Sequence, residues 1–185
     1  MNGSGADPLL EGLAAGNERS FEILYDRFSV RMFRAALRML GSREDAEDAV
    51  QDVFLSAVRS RERLGDVRDL TAYLFAALHR AAGKLALRRG KAVPVCTEAA
   101  EQAVAPAAQS ESDDFDWLRV QEAIQRLPYE QREVMTLKID GELTFAQIAQ
   151  VMGVGISTAS SRYHYALQKL RNSLLGAPTS LGESR

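Results

Sequence analysis

No Asp or Glu occurs between Leu143 and Gly182, a stretch that holds a compact set of side chains able to bond nucleic acid. A helix beginning at Ser157 and running to about Leu174 turns Ser157, Thr158, Ser161, Tyr165 and Gln168 outward, with Arg162 and His164 flanking them. Short hydroxyls permit close approach and bond phosphate oxygens or base edges. Arg162, Lys169 and Arg171 add positive charge on or beside the same helix, on a surface that must not repel phosphate. Catalytic chemistry has no comparable support. The sequence offers no nucleophile–base pair, Gly-rich phosphate loop or metal box, so no catalytic residue, cofactor or metal site is expected. His79 and His164 are too far apart in sequence to suggest a metal pair.

Such a helix must be held by another across a tight turn. Residues Thr144 to Met152 supply Phe145, Ile148, Ala149 and Met152 as an inner face, and Gly153–Val154–Gly155 supplies the turn. With Tyr163 placed at zero, Ile156, Ala159, Ala166, Leu167, Leu170 and Leu174 fall within roughly 60° of it at 100° per residue. This is the expected core stripe, with Tyr163 inside it and Tyr165 outside. Two further helical stretches precede this helix-turn-helix, Trp117 to Arg126 and Glu130 to Ile139, separated by Leu127–Pro128 and ended by Asp140–Gly141.

The first half has its own periodic segments. Asn17 to Leu40 repeats Phe21, Leu24, Tyr25, Phe28, Met32, Ala35, Ala36 and Met39 at three- and four-residue spacing and stops at Gly41. Ser42 followed by Asp45 predicts an N-cap with a capping-box partner, opening a helix from Arg43 to about Ser60 with Ala46, Ala49, Val50, Val53, Phe54 and Ala57 on one face. A third helix starts near Asp69 and carries Tyr73, Leu74, Ala77, Leu78, Ala81 and Leu85 to the Arg88–Arg89 pair, and a short one covers Pro8 to Ala15. Between Lys91 and Arg119 there are six carboxylates and no Lys or Arg, with Pro94 and Pro106 and no sustained amphipathic period. That profile predicts a flexible acidic linker.

The expectation is an all-α chain of two small helical domains: residues 1–90, an acidic linker at 91–116, a helix-turn-helix domain at 117–175 and a disordered tail at 176–185. The formal net charge of −2 over 185 residues argues weakly against a cationic coat, but the uneven distribution outweighs the total. The single cysteine, Cys96, rules out an intramolecular disulfide. No apolar run approaches the roughly 20 residues that span a bilayer. The start has neither a positive n-region nor an apolar h-region, so the cytoplasm is the expected compartment.

Taken together, these segments resemble a family. LPYEQREVMTLKIDGELTFAQIAQVMGVGISTASSRYHYALQKLR resembles the C-terminal domain of the extracytoplasmic-function sigma factors, and FEILYDRF with DAEDAVQDVFLSAV resembles their N-terminal domain. The resemblance covers roughly residues 10–90 and 115–175. It implies a factor that directs core RNA polymerase to specific promoters, with promoter DNA and core polymerase as partners and an anti-sigma factor as a further one. By position, Asp45, Glu47, Asp48, Gln51, Asp52 and Phe54 would dock on the coiled coil of the largest polymerase subunit. Thr158, Ser160, Ser161, Arg162, His164 and Tyr165, with Lys169 nearby, would read the upstream (−35) element. The third helix would engage the downstream (−10) element through Tyr73, Arg80, Lys84, Arg88 and Arg89. The chain departs from the family here, with Arg80 in place of an Asn and Lys84 in place of an Asp. Residues 59–91 nevertheless keep nine cations against three carboxylates, so a single strand could still ride this face with Tyr73 as a stacking surface. An unusual downstream element, or less dependence on it, is expected. Two other readings fit the same residues: a sigma-like decoy that sequesters an anti-sigma factor, and a polymerase-independent helix-turn-helix regulator.

Overall fold

The computed structural model describes residues 7–88 and 119–175, all of whose regular elements are helical. The expected linker at 91–116, the tail and Arg89 lie outside the described residues.

Local signals set most helix ends. Helix α1 (Pro8–Ala14) is capped by Asp7, whose carboxylate accepts the Leu9 N–H at 3.0 Å, and has proline in its first turn, where a missing N–H costs nothing. Helix α2 (Glu18–Leu40) starts at the Asn17 cap and stops at Gly41, which takes the left-handed φ of 68° and donates its N–H to Leu37 O at 2.8 Å. Helix α3 (Arg43–Arg59) follows from Ser42, whose Oγ accepts the Asp45 N–H at 3.4 Å. A 3-10 turn at Arg61–Asp66, not anticipated from the sequence, packs beside α1 and buries Leu64. Helix α4 (Leu70–Arg88) is capped by Asp69, which accepts the Ala72 N–H at 2.9 Å.

The N-terminal core is the seam predicted for α2, set against alanine-rich faces. Leu24, Phe28, Met32, Ala35, Ala36 and Met39 meet Ala46, Ala49, Val53 and Ala57 of α3 and Leu74, Phe75, Leu78 and Ala82 of α4. The small residues bring the helix backbones close together, and the large ones fill the remaining space. Tyr25, placed on this seam from periodicity, is instead 56% exposed and packs its ring on Phe54, centroids 5.1 Å apart.

In the second half, helix α5 covers residues 119–125, α6 is Tyr129–Ile139, α7 is Phe145–Met152 and α8 is Ile156–Leu175. Helix α6 is buried nearly all round, because α8 covers one side of it and α2 the other. Met135 joins Ala123, Ile124, Leu127, Ala166 and Leu170 in a core of the second half. Val134, Leu137, Leu143 and Ile148 are continuous with the core of the first half. The two halves, expected as separate small domains on a flexible linker, pack against each other.

Candidate nucleic-acid interface

Helix α7, the turn and α8 form the expected helix-turn-helix. Thr144 and Gln147 make a complete capping box: Thr144 Oγ1 accepts the Gln147 N–H at 3.3 Å, and Gln147 Oε1 accepts the Thr144 N–H at 2.8 Å. Gly153 closes α7 with a φ of 66°, and the Val154 N–H returns to Ala149 O at 3.0 Å. Phe145 meets Tyr163 edge-on with centroids 5.6 Å apart, fixing the angle between the two helices. Lys138 Nζ sits 5.1 Å from the Phe145 ring and donates to Leu143 O at 2.9 Å.

On α8, Ser157, Thr158, Ser161, Tyr165, Gln168 and Lys169 are exposed, and Ser160 and Arg162 are half-buried. His164 is exposed and donates from Nδ1 to Ser160 O at 2.7 Å, which leaves Nε2 of the neutral ring as an acceptor. The core stripe is narrower than expected and rotated. Ala159, Ala166 and Leu170 are buried, whereas Ile156 and Leu167 are 57% and 41% exposed. Measured from Tyr163, the buried three lie on one side and Ile156 and Leu167 on the other, so the stripe is centred roughly 40° away from Tyr163. Ile156 opens the helix, and its Cβ tilts back over the turn instead of toward α6.

On α4, Tyr73, Arg80, Lys84 and Arg88 fall within an arc of roughly 80° at 100° per residue. Arg80, Lys84 and Arg88 are exposed and Tyr73 is half-buried. His79 lies on another side of the helix, where its Nε2 is 2.5 Å from Glu133 Oε1 of α6. On α3, Glu47, Asp48, Gln51 and Asp52 form an exposed acidic face, with Glu47 paired to Arg43 at 2.9 Å. Asp45 departs from this set: it is 3% exposed at the start of α3 and offers no surface to a partner in this structure. Phe54 is half-buried under Tyr25. Sequence reasoning missed the exposed apolar side chains Leu55 and Val58 on α3 and Ile23 and Val30 on α2, because outward-facing apolar residues carry no periodic signal of their own.

Comparison with known proteins places this geometry. Residues 24–92 match the family model for sigma-70 region 2, and residues 123–172 match that for sigma-70 region 4. The chain is 31% identical over 170 residues to the ECF RNA polymerase sigma factor SigL of Mycobacterium tuberculosis, covering 89% of this chain and 94% of the relative. The chain belongs to the extracytoplasmic-function sigma factors of the sigma-70 family. SigM of the same organism is 34% identical to this sigma factor over 172 residues, covering 91% of this chain and 83% of the relative. Among solved structures, the fold is shared by CnrH in complex with the cytosolic domain of CnrY, with a TM-score of 0.64, 24% identity, and coverage of 92% of this chain and 97% of that one. It is also shared by RpoE of Bartonella quintana in complex with the anti-sigma factor NepR, with a TM-score of 0.71, 22% identity, and coverage of 85% and 98%. Sigma factors direct RNA polymerase to promoters and are initiation factors without enzymatic activity of their own. Among the described residues, no helix is long and apolar enough to cross a membrane.

Proposed function

We propose that this sigma factor divides promoter recognition between two modules, residues 1–90 and 117–175, joined by the acidic segment 91–116. The outer face of α3 (Glu47, Asp48, Gln51, Asp52) and the adjoining Phe54 dock on a basic surface of core polymerase, since an acidic helix face suits a cationic partner. Helix α8 enters the major groove of the upstream element with Thr158, Ser160, Ser161, Arg162, His164 and Tyr165, while Lys169 holds phosphate. The stripe of Tyr73, Arg80, Lys84 and Arg88 carries the displaced single strand at the downstream element, with backbone charge neutralised by the cations and a base stacked on the tyrosine. Arg80 and Lys84 favour phosphate contact over base reading, so the downstream element contributes less sequence selection than the upstream one. The protein acts in the cytoplasm, without catalysis, and an anti-sigma factor is a further partner, as NepR is for RpoE of Bartonella quintana.

The observation that carries this reading is the acid-free, outward hydroxyl-rich face of α8 behind a complete helix-turn-helix. Its test is transcription in vitro with purified core polymerase. Promoter-specific transcripts are expected, and replacing Ser161, Arg162 and Tyr165 with alanine should abolish selection among upstream elements while core binding persists. Core binding without initiation would favour a decoy, and promoter binding by the free protein at a symmetric site would favour an independent regulator.

A further inference from the structure

The acid-free stretch that makes α8 compatible with phosphate also strips it of carboxylates, the side chains that only accept hydrogen bonds, since no Asp or Glu lies between Leu143 and Gly182. The outward set is therefore poor in fixed acceptors. Arg162 and Lys169 can only donate, and the hydroxyls of Ser157, Thr158, Ser161 and Tyr165 rotate to donate or accept as a partner requires. Gln168 offers both functions on one rotatable amide. His164 differs from all of these, because the fold sets the role of each of its ring nitrogens.

His164 Nδ1 lies 2.7 Å from Ser160 O, one turn back on the same helix, and 3.4 Å from Ser160 Oγ. A carbonyl oxygen cannot donate, so Nδ1 carries the proton; a bare nitrogen would set two lone pairs against each other at 2.7 Å. The ring lies 6.5 Å from that of Phe145 at an interplanar angle of 28°, and it meets Tyr163 edge-on at 6.0 Å. Neutral imidazole has one donor and one acceptor, so Nε2 is left bare and can only accept. Because a helical Cβ leans toward the N-terminus, the ring is carried toward the first turns of α8, the end that a recognition helix presents to base edges. Ser157, Ser161, His164 and Gln168 fall within about 60° of one another around the helix at 100° per residue. All four are exposed.

We propose that Nε2 of His164 is the specificity-determining acceptor of the recognition helix, taking a hydrogen bond in the major groove from the exocyclic amine of cytosine or adenine. Each base pair presents one such amine there, on one strand only. A fixed acceptor therefore separates the amino bases, adenine and cytosine, from the keto bases, guanine and thymine, on the strand it faces. A keto oxygen opposite Nε2 would leave two acceptors in contact and neither satisfied. The inference rests on α8 lying in the groove of the upstream element, and it adds the chemical sense of the reading at one base pair.

The test uses the full chain with core polymerase and promoters whose upstream element is randomised, the templates retained in holoenzyme complexes being read by sequencing. One position should favour amino over keto bases about three- to tenfold, the weight of one hydrogen bond between neutral groups. His164→Ala should level that position alone, and His164→Arg, which only donates, should turn it toward guanine. Analogues of adenine and cytosine that lack the amine decide which base is read. The loss they cause should match that of His164→Ala and should not add to it. Additive losses overturn the contact, as does an unchanged preference in His164→Ala. The tautomer is checked without DNA, from the ring-nitrogen NMR signals of the free protein: the chain has two histidines, and the signals of His164 are those lost in His164→Ala. A proton on Nε2 of the neutral ring would overturn the acceptor role. Replacing Ser161, Arg162 and Tyr165 with alanine separates the two readings. Selection that survives there refutes groove reading by α8, whereas selection lost there but indifferent to His164 refutes the acceptor alone.

Discussion

The clearest discriminating perturbation lies in two isoleucines on either side of the same turn. Ile148 on α7 is fully buried, and Ile156 at the start of α8 is 57% exposed, although both occupy apolar positions of the helix-turn-helix pattern. Truncating Ile148 to alanine removes three carbons from a closed site. At about 0.8 kcal/mol per methylene the transfer loss alone is roughly 2.4 kcal/mol. Because Ile148 packs in the cluster that also holds Val134, Leu137 and Leu143, the cavity left behind raises the expected cost to about 2–5 kcal/mol. Ile156→Ala deletes the same atoms from a site already open to water, so its effect should stay within about 0.5 kcal/mol.

Urea unfolding followed by circular dichroism measures both variants. Ile148→Ala should move the midpoint strongly at unchanged slope, because the area exposed on unfolding hardly differs. The matching fall in Tm is roughly 4–20 °C, taking about 2–4 °C per kcal/mol for a chain of this size. Equal losses for the two variants would refute the rotated core stripe on α8 and restore the wider one centred on Tyr163. An unaffected Ile148→Ala would refute the packing of α7 itself.

Other consequences are equally direct. Gly141 sits where an added Cβ would stand 2.6 Å from Leu137 O and 3.1 Å from Phe75 Cδ1, so Gly141→Ala should cost about 1–3 kcal/mol in thermal or urea unfolding. Its backbone is not left-handed, and an unchanged midpoint would mean that the turn shifts freely. Thr144→Ala removes the capping box of α7 and should cost about 1 kcal/mol, whereas Thr144→Ser should recover most of it. Burial, reinforced by the neighbouring Glu133 carboxylate, raises the Tyr129 phenol above its ordinary 10.0. The folded chain therefore keeps a proton that the unfolded chain releases, and stability falls as pH rises past 10. Urea midpoints collected from pH 8 to 11 should show a shallower alkaline decline in Tyr129→Phe.

What could be read from the sequence was what is local. Gly41 and Ser42 mark helix ends through bonds spanning three or four residues and sit where their types predicted, and Asn17 and Asp7 cap α2 and α1 by equally local bonds that the sequence reading did not single out. The seam of α2 follows from spacing alone, because α3 and α4 both pack against it. The wheel of α8 was harder, since periodicity gives a face but not its width, and width depends on how much of the helix its neighbours cover. Tyr25 shows the same limit: it continues the apolar spacing of α2 yet finds its partner, Phe54, at the surface. The outward set on α8 survived because it follows from the handedness and pitch of one helix and needs no knowledge of what packs elsewhere.

The charged residues of the junction lay beyond local reading. Arg132, Glu133 and Asp140 are each less than 10% exposed, although on sequence they pass for the solvated face of an amphipathic helix. Arg132 is held by Gln125 on α5, but Glu133 and Asp140 find their partners in His79 of α4 and Arg38 of α2, far away in the chain. Burial even pushes the Asp140 carboxyl above its ordinary value despite the attraction of Arg38, Arg34 and Arg31. Apolar residues at these sites would bind the halves at least as strongly, because desolvating an ion pair offsets most of its attraction. Ionic and hydrogen-bonding groups differ in the separated state, where water solvates them well, whereas an exposed apolar face would drive the halves back together. Replacing Arg38 and Asp140 together with a methionine–leucine pair should therefore leave the urea midpoint unchanged or higher.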